Sequence, residues 1–117
     1  MRDMSFKLDK HRSFLNLLLN GENSQKKALL KTASDEQIRM LSEIVLNILG
    51  GVIPVSAKLR HDLIPHKDKL RKLGDKTQPN CVLKRNWNKF PLEILKNILK
   101  TTLTFIDRCC LEDNQSI

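Results

Sequence analysis

Ser34-Asp35-Glu36-Gln37 stands directly ahead of a run in which Ile38, Leu41, Ile44, Val45, Ile48 and Leu49 recur at helical spacing, and Gly50-Gly51 closes it. The Ser34 hydroxyl can accept from the Gln37 amide while the Gln37 side chain reaches back to the Ser34 amide, which is a capping box. Asp35 and Glu36 suit the positive end of a helix dipole. Ala33 and Ile38 take the hydrophobic staple positions around the cap. This segment is therefore a core helix, and whatever surrounds it must cover one apolar face.

The flanking segments repeat the pattern. Leu8, Phe14, Leu15, Leu18 and Leu19 predict a helix from about Asp9 to Leu19, with Asn20-Gly21 offering a left-handed terminal turn. Asn23 or Ser24 can cap a short helix over Gln25 to Lys31, with Ala28, Leu29 and Leu30 on its apolar side. Val52 to Val55 is extended around Pro54, and Ser56 offers another N-cap. Leu59, Leu63, Leu70 and Leu73 share a face, but Pro65 predicts a break near Ile64 and a fresh helix from His66 to Leu73, stopped by Gly74. Gly74 to Asn80 is a polar loop, and Cys81 to Lys89 is short and mixed and supports no assignment. Leu92, Ile94, Leu95, Ile98, Leu99, Leu103, Phe105 and Ile106 predict a last helix opened by Pro91.

With 117 residues, the expected architecture is all-α, a compact bundle of about five to six short helices. Residues 1–110 form the single domain and 111–117 a frayed tail. Apolar mass rests mainly on Leu and Ile, which suits helix packing.

Charge is distributed far less evenly. Residues 58–89 carry ten basic side chains against Asp62, Asp68 and Asp75, which is +7 of the chain's +8. Such a tract favours a polyanion, nucleic acid first and an anionic membrane second. With four Phe, one Trp and no Tyr, stacking on bases is a poor fit, so contacts should go to duplex DNA phosphates with low specificity. The expected contact residues are Lys58, Arg60, Lys67, Lys69, Arg71, Lys72 and Lys76. A solvated basic face is the plainer alternative. The two short helices around Ile64-Pro65 also permit a helix-turn-helix, but the turn is short, lacks Gly, and no Arg-Asn-Gln cluster suggests base reading.

Other chemistry finds little support. His61, His66 and Cys81 make an H-x4-H-x14-C set of three without a paired element, so no metal is expected. No Gly-rich phosphate loop, GxSxG, HExxH or DxD-type carboxylate pair is present, and capping accounts for Asp35 with Glu36. The chain reads as non-enzymatic and without a cofactor. Cys109-Cys110 reads as buried small hydrophobes or inert thiols, and three cysteines suit a reduced setting. No signal peptide or membrane-spanning run is evident.

Lys10 to Leu15, Lys26 to Gln37, Leu41 to Gly51, Ile53 to Ser56 and His66 to Leu73 are similar in order and spacing to a small protein of Maverick/Polinton-type DNA transposons and adintovirus-like relatives. The resemblance spans about residues 10 to 76. It implies a virion-module or late protein of a capsid-forming mobile element, nuclear or virion-associated. That family continues into a denser basic segment and a Gly-containing, Leu-rich end, whereas here Lys84-Arg85 gives way to Asn86-Trp87-Asn88-Lys89-Phe90-Pro91. The leading expectation is a genome-associated protein. The second is a helical adaptor for a capsid or host protein, docking through Leu95, Leu99 or Ile106 wherever these are exposed.

Overall fold

A computed structural model describes the backbone of residues 8–115 and the side chains of residues 8–108. The described chain is all-α. A helical turn at residues 8–10 leads into α1 (Arg12–Asn20), followed by α2 (Asn23–Thr32), α3 (Asp35–Leu49) and α4 (Ala57–Leu63). A 3-10 turn, Ile64–His66, joins α4 to α5 (Lys67–Leu73), and α6 (Asn80–Lys89) and α7 (Leu92–Gln115) complete the chain. Helix α7 continues to Gln115, past the point where a loose tail was expected; residues 116 and 117 lie outside the described residues.

Local chemistry sets most boundaries. Ser34 Oγ accepts from the Gln37 amide at 3.1 Å, and Gln37 Oε1 accepts from the Ser34 amide at 2.9 Å, which completes the capping box. Ser56 Oγ accepts from the Leu59 amide at 3.1 Å and starts α4. Helix α2 begins earlier than expected: Glu22 is its N-cap, paired reciprocally with Gln25, and neither Asn23 nor Ser24 caps it. Its apolar side is also narrower, because Leu30 is buried while Ala28 is exposed. Gly21 is extended (φ −71°, ψ 168°) and not left-handed. Glycine is required there for another reason, since a Cβ would meet the Leu17 carbonyl oxygen at 2.6 Å. The left-handed residue is Gly51, at φ +79°, one past the cap of α3.

The unassigned segment became α6, and it occupies the middle of the fold. Helix α6 packs against α2, α3 and α5, while α7 lies across α1 and α4. Leu83, Trp87 and Phe90, spaced by four and three, form its buried seam. Trp87 is 1% exposed and donates its indole N–H to the buried Ser42 Oγ at 3.1 Å. The Phe90 ring meets the Trp87 ring edge-on at 5.5 Å. From α6, Lys84 Nζ and Asn88 Nδ2 donate to the Ala33 and Leu30 carbonyls, satisfying acceptors at the end of α2. The core is completed by Leu8, Leu15, Leu18, Ile38, Leu41, Ile44 and Ile53 with Leu95, Ile98, Leu99 and Ile106 of α7.

Arg39 on α3 fastens the loop that precedes α6. Its guanidinium donates to Asn80 Oδ1, to the Gln78 carbonyl at 2.7 Å and to the Lys76 carbonyl at 3.3 Å. Within that loop the Thr77 hydroxyl and amide, with the Gln78 side-chain amide, hold the Asp75 carboxyl below its usual range. Replacing Arg39 with Ala should cost on the order of 2–3 kcal/mol, because carbonyls bonded to a charged donor lose it together. Urea unfolding followed by circular dichroism measures this, and a shift below about 0.5 kcal/mol would mean that the loop holds itself.

Candidate nucleic-acid interface

All seven expected contact residues, Lys58, Arg60, Lys67, Lys69, Arg71, Lys72 and Lys76, are exposed. Among the described residues none of the ten tract cations is ion-paired with a carboxylate. The ion pairs present lie elsewhere, as Lys10 with Glu36 and Arg12 with Asp9 and Asp107. There the Lys10 ammonium, hydrogen-bonded at 3.1 Å, holds the Glu36 carboxyl below its usual range, with His11 adding to the effect. The basic tract has no such neutralisation. Lys84 is the tract cation with a structural bond, to Ala33.

The seven do not line a single depression. Leu70 and Leu73 bury one side of α5. At about 100° per residue, Lys67 and Arg71 fall on one flank of the helix and Lys69 and Lys72 on the other, with Asp68 between them. Lys69 and Lys72 line a cleft with Asn86, Lys89, Leu73 and Phe90. Its volume is about 200 Å³ and it holds three lysines and no acid. Arg60 and Lys67 border a different groove, on the apolar segment after α3. Lys58 sits with Lys100, Asp62 and Asn97 between α4 and α7, and Lys76 sits with Arg39 and Glu43. Each of those two cations shares its depression with an acid. The closest grouping of cations without an acid lies between α5 and the end of α6, where Lys69, Lys72 and Lys89 share one cleft.

Sequence reasoning missed Asn86 and Lys89 as members of this surface. They could be placed only once α6 was recognised, because Asn86, Lys89 and Phe90 share a face at helical spacing of three and four. Trp87 and Phe90 are 1% and 4% exposed, so neither offers a ring for stacking on a base. His61 is exposed, His66 lies half-buried with its ring 6.0 Å from Phe90, and Cys81 is exposed. The described residues contain no group of three or more His, Cys, Asp or Glu placed to hold a metal. The side chains of Cys109 and Cys110 lie outside the described residues.

The expected docking face on the last helix is corrected by the fold. Leu95, Leu99 and Ile106 are each 1% exposed and belong to the core, because α7 covers α1 and α4 along that side. Among the described residues no helix is long and apolar enough to cross a membrane. Fold and surface together define an all-α domain whose exposed cations are spread over several depressions, with one acid-free cleft at Lys69, Lys72 and Lys89. Comparison with protein-family models, curated proteins and solved structures gives no match.

Proposed function

We propose that the protein is a non-enzymatic DNA-binding protein, accompanying or packaging the genome of a virus-like mobile element in the nucleus or the virion. It holds duplex DNA through phosphate contacts from α5 and its neighbours. The observation that carries this reading is the set of cations in residues 58–89 without a carboxylate partner among the described residues. A face evolved only for solubility can intersperse both signs, whereas a phosphate surface needs its cations free. The two basic flanks of α5 are a helix diameter apart, on the order of 10 Å. That is comparable with the ~12 Å width of a major groove, so one duplex can engage both flanks. The likeness to Maverick/Polinton-type proteins supplies the genomic context.

Low sequence specificity and a steep salt dependence follow from this mode of contact. Anisotropy of a labelled mixed-sequence duplex should give a log–log salt slope of about −4 for four to five phosphates. Affinity should then fall by about two orders of magnitude between 50 and 200 mM salt. Changing Lys67, Lys69, Arg71 and Lys72 together to Glu should abolish binding while the circular dichroism spectrum is retained, since all four are exposed. No binding of the wild-type protein at low salt would overturn the proposal.

A further inference from the structure

A groove of about 470 Å³ opens where α3 ends and α4 passes into α5. Ile53, Leu63 and Leu70 form its buried floor, each 8% exposed or less. Leu49 and Ile64 rise on its rim at 43% and 61% exposure, and Val52, in the segment forming one wall, is 44% exposed. These are three of the large apolar side chains that the described fold leaves in solvent; Leu49 and Ile64 line the groove, and Val52 stands in the chain between its lining residues Gly51 and Ile53. Arg60 and Lys67 stand among the lining residues, which include no acid.

Apolar rims of this kind have no use in phosphate binding, which the neighbouring cations alone would serve. We propose that this groove is a protein-docking site that receives a short amphipathic helix whose apolar anchors are flanked by carboxylates. Apolar anchors at helical spacing would fill the floor and cover Leu49, Val52 and Ile64, and the flanking acids would meet Arg60 and Lys67. The volume lies in the range of ligand pockets, which gives room for more than one large side chain. A small anionic amphiphile would fill the floor but leave the rim wet. A second copy of this chain is disfavoured because each carries a net charge of +8. Acidity in the partner is the complement that the lining requires. This site shares Arg60 and Lys67 with the DNA-binding reading, but its apolar floor and rim have no part in that reading, so either can fail without the other.

The test is a display library of random helical peptides of about 14 residues, selected on the full-length protein at near-physiological salt. Selected peptides should combine two or more large apolar residues at helical spacing with flanking Asp or Glu. Their affinity should fall at least tenfold for the double variant Leu49→Ser, Ile64→Ser. That variant keeps every charge and changes only exposed positions, so the fold and duplex binding should persist. Peptides that bind the wild type and this variant equally would overturn the proposal, because they would be held by the basic tract alone. An absence of enriched peptides would overturn it too. So would a dimer in sedimentation, or saturable oleate binding, that the same double variant abolishes, since the groove would then belong to another occupant.

Discussion

Replacing Trp87 with alanine is expected to remove about 3–5 kcal/mol of folding stability, enough to leave a domain of ordinary stability barely folded at room temperature. Trp87 is fully enclosed where α6 meets its neighbours, and its ring is braced edge-on by Phe90. Truncation leaves a cavity that surrounding helices can close only in part. It also deprives the buried Ser42 hydroxyl of its indole donor. Trp87→Phe keeps most of the ring and loses the N–H, so it should cost roughly half as much. Urea midpoints by circular dichroism separate the two variants. A loss below about 1 kcal/mol for the alanine variant would show that α6 is not the centre of the core.

The second large effect concerns DNA and divides the basic residues by position. Changing Lys69, Lys72 and Lys89 to Glu should weaken duplex binding by a factor of about 100 or more and reduce the salt slope by about 3. These three share one acid-free cleft. Changing Lys58 and Lys76 should cost less than about tenfold, because each shares its depression with an acidic residue, Asp62 or Glu43. Anisotropy salt series on both variants provide the comparison. If the pair per charge matches the triple, the protein is held by diffuse charge and the cleft has no special role.

Where the sequence carried its own local chemistry, the architecture was legible. The Ser34 box, the Ser56 cap, the break at Pro65 and the stop at Gly74 each involve residues within one turn of one another, so composition and spacing suffice. Helix α6 was not legible in the same way. Lys84, Arg85, Asn86, Asn88 and Lys89 dilute its apolar signal, and two buried side chains in ten residues make sense only against α2 and α3. Arg39 was equally hidden, since its acceptors lie 37 to 41 residues away. For the site, the sequence located the charge but not its grouping. Which cations share a cleft depends on how α5 is rotated against α6, and no spacing within either helix contains that information. The last helix failed as a docking face for the converse reason: an apolar stripe looks the same whether the core or a partner covers it.

Unpaired cations around α5 also act on the domain that carries them. Like charges held close repel one another, and in the folded chain they stand closer than in the unfolded one. Close ion pairs would ordinarily offset this, and among the described residues no tract cation forms one with a carboxylate. An anion that bound there would relieve this repulsion in the folded state. In thermodynamic terms such an anion would be a ligand of the native form, and the domain would gain stability with it in place.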